Sequence, residues 1–126
     1  PCTPAWQGSC VEIFGAIPRQ GAIGHVFLVP GGTTEPAHAA FFAGEKEQPD
    51  PTIRFRVTPL AAGYRITALI PCRRLRIDPR TGPFLLEAQV NTALSGDGAF
   101  QRATLFGSCA AYKDASHYGL IRVRET

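Results

Sequence analysis

Apolar and polar residues alternate along much of this chain. Ile53, Phe55 and Val57 are separated by Arg54 and Arg56. The same rhythm runs through Tyr64, Ile66, Ala68 and Ile70, and again through Phe84, Leu86, Ala88 and Val90, where Glu87 and Gln89 face the other way. A period of two sends one row of side chains into a core and the other toward solvent or a ligand. Further strands are predicted over Cys10–Phe14, Ile23–Val29, Ala37–Phe42, Ala103–Phe106 and Leu120–Val123. Turn chemistry falls between these runs: Pro30-Gly31-Gly32, Gln48-Pro49-Asp50-Pro51, Ala62-Gly63, Asp78 to Pro83, and Ser95-Gly96-Asp97-Gly98. Helical periodicity is almost absent; only Pro71–Leu75, opened by a proline, reads as a single turn. Eight or so strands with frequent turns predict an all-β fold, an antiparallel β-sandwich.

Composition narrows this picture. The 126 residues suit one domain spanning 1–126. Hydrophobic residues make up 44% and charged residues 18%, enough for one core and too little charge for a disordered chain. The net charge of +3 is spread as pairs such as Arg73 and Arg74 or Arg122 and Arg124, which read as the wet face of strands. No polybasic run forms, so nucleic acid is not an expected partner. No apolar run approaches the ~20 residues that span a bilayer, so no membrane is expected either. Methionine is absent, Pro1 is an unusual start and no signal peptide is seen; a mature or excised piece is the expectation. Cys2, Cys10, Cys72 and Cys109 match no zinc spacing. They read either as one or two disulfides in an oxidising compartment or as small buried hydrophobes.

Catalytic patterns are not prominent. His25, His38 and His117 form no helical metal motif, no nucleophile elbow occurs, and nothing singles out a pair of carboxylates. Saccharide binding asks for aromatic platforms against the apolar faces of sugar rings and charged or amide groups at the hydroxyl edges. Trp6, the single tryptophan, precedes a strand in a polar stretch. Glu12 falls on the face opposite Val11 and Ile13. A lone tryptophan is more often a core residue, but Trp6 stands outside the apolar alternation.

The segment Trp6-Gln7-Gly8-Ser9-Cys10-Val11-Glu12-Ile13-Phe14 resembles the W-x-G-D-S-V-E-I-F signature of family 9 carbohydrate-binding modules, with Ser9 in place of Asp and Cys10 in place of Ser. Gly63 to Leu75 is similar to that family's G-Y-x-x-E-x-x-I-P-W-x-x-L segment, with Thr67 for Glu and Cys72 for Trp. Phe84 to Asn91 is similar to a strand ending in Q-V-N-D, and Arg102 follows a Gly-rich turn as the family's arginine does. Tyr112 to Ile121 resembles an aromatic followed by D-P-S-x-F-G-x-L. The four motifs keep their order from Trp6 to Val123. The strands that precede the tryptophan in the family have no counterpart, so another segment or chain is expected to complete the sandwich.

The resemblance implies a CBM9-like β-sandwich, related to DOMON-type domains, that binds a terminal sugar between two aromatic rings without cutting it. Trp6 matches one wall and Tyr112 the other. Glu12 matches the acidic residue that pairs with hydroxyls, and Gln89 and Arg102 match the amide and guanidinium donors. Asn91 reads as a turn former at the strand end. No equivalent is found for the family's arginine near His25. Oligosaccharide or polysaccharide is the implied partner, the setting extracellular or periplasmic, and the role that of an accessory domain targeting an enzyme. Family members often carry calcium; Ser9 and Thr67 remove two acids, and a structural calcium is left open. Haem ligation through methionine is impossible without that residue. Two alternatives stay open: an assembly module with a decayed sugar slot, and a domain of a polysaccharide-degrading enzyme.

Overall fold

The structure is a computed structural model describing residues 9–32, 36–93 and 100–124. It is all-β and antiparallel. Four strands form a meander: β1 (Cys10–Ala16), β2 (Ile23–Val29), β3 (His38–Ala43) and β4 (Lys46–Pro49). The chain then leaves this sheet for a hairpin of β5 (Arg54–Leu60) and β6 (Gly63–Leu69), makes one 3-10 turn over Cys72–Leu75, and returns as β7 (Phe84–Ala93) on the far side of β1. The outer edge of β7 is shared by β8 (Phe100–Thr104) at one end and β9 (Gly119–Ile121) at the other. The main sheet therefore runs β4-β3-β2-β1-β7-β8, with β9 beside β7, and the hairpin is a second layer.

The register places Val11, Ile13 and Gly15 of β1 on one face with Gly24, Val26 and Leu28 of β2 and Leu86 of β7. This face and the hairpin make the main core: Val26, Leu28 and Ala39 pack with Ile53, Phe55, Ile66, Ala68, Ile70 and Leu75. The 3-10 turn presses on the sheet at Gly15 and Gly24, which are cross-strand partners. A Cβ on Gly24 would stand 2.3 Å from the Leu75 carbonyl carbon, and one on Gly15 would stand 2.4 Å from the Leu75 oxygen. Only glycine permits that approach. Asp50 pins the crossover from below: it accepts hydrogen bonds from Thr52 N and Oγ1 at 2.9 and 2.6 Å and from Arg74 Nε at 2.6 Å. The Arg74 guanidinium also lies 3.7 Å from the centre of the Phe41 ring.

Several expectations change. Arg73, Arg74 and Arg76 are not on the wet face of a strand but in and just after the 3-10 turn, where Arg74 is a buttress. The Gln48–Pro51 turn begins later than expected, because β4 pairs with β3 as far as Pro49. The strand expected over Ala103–Phe106 lies over Phe100–Thr104, and the last strand is only Gly119–Ile121. Asn91 is not a terminal turn former: it lies inside β7 with 0% exposure. Trp6, Cys2 and the Ser95–Gly98 turn lie outside the described residues.

Candidate functional site

The opposite face of the sheet carries Cys10, Glu12, Phe14 and Ala16 of β1, His25 and Phe27 of β2, and Glu87, Gln89 and Asn91 of β7. Its middle is polar and buried. Glu12, 2% exposed, accepts from three donors. His25 Nε2 donates to Oε1 at 2.7 Å, Asn91 Nδ2 donates to Oε2 at 2.8 Å, and Gln89 Nε2 donates to the same Oε2. Asn91 in turn accepts from Arg102 Nε at 3.4 Å across the β7–β8 pair. A buried carboxylate survives only with such donors, and among the described residues every buried side-chain nitrogen and oxygen has a partner.

Aromatic rings frame this cluster. His25 stacks on Phe14 with centroids 4.1 Å apart and on Phe42 at 5.2 Å, and it tilts against Phe27 at 4.3 Å. Between the rings and the polar cluster lies a cavity of about 560 Å³, within the size range of small-molecule sites. Glu12, Gln89, Arg102 and Tyr112 all line it, with His25, Phe14, Phe42 and Arg76. The four described members of the expected site thus come together from β1, β7, β8 and the loop after β8. The fifth, Trp6, is outside the described residues.

Tyr112 depends on groups that sequence reasoning passed over. It sits in the loop between β8 and β9, and Glu87 ties that loop down. Glu87 Oε1 accepts from Phe106 N at 3.0 Å, and Oε2 accepts from Ser108 Oγ at 2.7 Å and Ser108 N at 3.3 Å. Burial pushes its pKa up, but the Ser108 hydroxyl and the backbone amides of Phe106, Ala88 and Ser108 outweigh it and hold it below the ordinary value. Tyr118, packed against Phe14, donates its hydroxyl to the Ala111 carbonyl next to Tyr112. Asp114 Oδ1 accepts from Ser116 N at 2.9 Å, a local turn within the Asp-Ala-Ser triplet. The Phe106 ring covers Gly119, where a Cβ would meet it at 2.3 Å. Tyr112 itself is 60% exposed, at the rim.

His25, Asn91 and Arg76 were not singled out for the site. The signal for Asn91 was available: it continues the Glu87, Gln89 row with period two. His25 stands on the strand where no equivalent was found for the family's arginine, and its place beside Glu12 follows from pairing Phe14 with His25. Cys10, Cys72 and Cys109 are free thiols, and Cys10 is buried at the end of the polar row. Burial, then the neighbouring Glu12 carboxylate, pushes its pKa up to about 12. No cluster of three or more metal-ligating side chains occurs among the described residues, and no helix there is long and apolar enough to cross a membrane. Searches against family models, curated proteins and solved structures return no match to this chain.

Proposed function

We propose that this chain binds carbohydrate without cleaving it, holding a terminal sugar in the cavity and carrying an attached enzyme to polysaccharide. The observation that supports this most is convergence. Glu12, Gln89, Arg102 and Tyr112, taken from three of the four motifs, line one cavity. The chemistry is suitable: aromatic rings for an apolar sugar face and guanidinium and amide groups for hydroxyls. In this reading Tyr112 forms one wall and Trp6 the other. Glu12 acts largely by orienting His25, Gln89 and Asn91, since its own oxygens are engaged.

Titration calorimetry with a panel of mono- and oligosaccharides tests it, comparing wild type with Trp6→Ala, Tyr112→Ala and Gln89→Ala. Binding by wild type that is lost in the folded variants is the expected result. A folded wild type that binds no sugar and retains a protein partner in pulldown would make the domain an assembly module. Product release abolished by Glu12→Gln would make it part of an enzyme.

A further inference from the structure

The polar floor of the cavity turns its donors inward. His25 Nε2, Gln89 Nε2 and Asn91 Nδ2 all donate to the Glu12 carboxylate. What His25 and Gln89 have left over is acceptors. A neutral imidazole that gives its Nε2–H to a carboxylate carries a lone pair on Nδ1, and an amide that donates through its nitrogen keeps its oxygen for accepting. Neither His25 Nδ1 nor Gln89 Oε1 has a hydrogen-bond partner among the described residues. No side-chain nitrogen or oxygen shut off from solvent lacks a partner there, so both atoms are open. Both residues line the cavity.

Both acceptors are held in place. His25 sits on β2 between β1 and β3, and its ring stacks on Phe14 of the first and Phe42 of the second, with Phe27 tilted against it. A ring packed in this way and tied at Nε2 cannot swing, so Nδ1 keeps its direction. The planar amide of Gln89 is tied at its nitrogen by Glu12, which sets where its oxygen points. His25 is 8% exposed and Gln89 4%. Acceptors this deep lose their water when a ligand fills the cavity, and one left without a donor then weakens binding.

We infer that this floor selects its ligand by hydrogen-bond donors: His25 Nδ1 and Gln89 Oε1 each accept from a hydroxyl of the bound sugar. The inference rests on the saccharide reading above and goes further by naming the two atoms that read the sugar and the class they take. That class is a neutral sugar whose hydroxyls are free where it meets the floor. A hydroxyl can donate to either atom. An ether, a methylated hydroxyl or a carboxylate can only accept, and would set lone pair against lone pair where water has been displaced.

The test starts from whichever of glucose, galactose, mannose and xylose binds the wild type, and replaces each ring hydroxyl in turn by hydrogen and by fluorine. Hydrogen removes the donor; fluorine removes it and leaves a weak acceptor. At two positions both replacements should weaken binding by roughly tenfold. In His25→Gln, which keeps an amide donor for Glu12, the penalty at one of these positions should shrink and the other persist; Gln89→Met should do the reverse. Folding is checked by circular dichroism and thermal melting, and the analogue series on the wild type decides alone for a variant that does not fold. Fluoro sugars that keep the affinity their deoxy counterparts lose would mean that the floor donates, and would overturn this inference while leaving the saccharide site standing. Both penalties persisting unchanged in the folded variants would overturn the assignment to these two atoms. No binding of any of the four sugars to the folded wild type would overturn the inference and the saccharide reading together.

Discussion

The two faces of the main sheet come from the same strands and are stabilised by different physics. On one face Val11, Ile13, Val26 and Leu28 meet the β5–β6 hairpin in a core where shape is everything. On the other, the next residues along, Glu12 and His25, build a hydrogen-bonded floor beneath a cavity. The apolar face tolerates no added volume where Leu75 sits on Gly15 and Gly24, because close-packed backbone has nowhere to go. The polar face tolerates no loss of partners, because each donor there is buried and counted on. A cavity arises where the second kind of face is left uncovered by another layer.

Perturbing each face in turn separates these two modes of support. The largest effect is expected at the glycine window. Gly24→Ala drives a Cβ into the Leu75 backbone and should cost about 3 kcal/mol in denaturant unfolding. Gly32→Ala, where no atom lies within 4 Å, should change little. Next comes Glu12→Ala, which strands His25, Gln89 and Asn91 without their acceptor. A loss of roughly 2–3 kcal/mol is expected, together with loss of ligand binding. If Glu12→Ala proved neutral in equilibrium unfolding, the hydrogen-bonded floor would not be a stabilising element.

Acid should act through Glu87 and Asp50. The Thr52 hydroxyl first, with the Thr52 amide and Arg74, holds Asp50 below the ordinary value against the opposing pull of burial. Glu87 is also lowered, as its hydrogen bonds outweigh burial. Both folded pKa values lie below the unfolded ones, so the unfolded chain binds protons first as pH falls. The stability they contribute is fully present above about pH 5 and is lost as pH falls through the unfolded values near 4 toward the folded ones. Thermal melts from pH 7 to pH 3 should show this decline, and Glu87→Gln should make it shallower. Because Glu87 anchors the Tyr112 loop, the same variant should weaken ligand binding at neutral pH.

The smallest effect concerns the thiols. At pH 8, iodoacetamide should modify Cys72 and Cys109, which are exposed, and spare Cys10, which is buried and protonated. Mass spectrometry of the native protein reads this directly. Modification of Cys10 at the rate of Cys72 would mean that the polar face opens readily.

Much of the fold was legible in the chain. Alternation located β5, β6 and β7 to within a few residues, and the apolar stretches read as further strands located β2 to the residue and β1 and β3 to within a few. Pro71 marked the start of the 3-10 turn, and it stands just before it, as the N-cap. β4 was missed: Lys46-Glu47-Gln48-Pro49 has no apolar alternation, as an outer strand can be charged throughout. In the site, Glu12, Gln89, Arg102 and Tyr112 could be picked from motifs and their meeting expected from the resemblance, but the parts of His25, Asn91 and Glu87 in holding them could not.

Local pattern therefore located most of the strands and the face each of their side chains takes, because those depend on neighbours one or two positions away. Tertiary structure settled that β7 returns beside β1. That pairing brings Gln89 and Asn91 onto Glu12 across 77 and 79 positions of chain. It also decided that Asn91 is buried rather than at a turn, and that Glu87 ties down the loop of Tyr112. Strand pairing over such separations is chosen by the sum of all contacts across the sheet, and no stretch of sequence holds that sum.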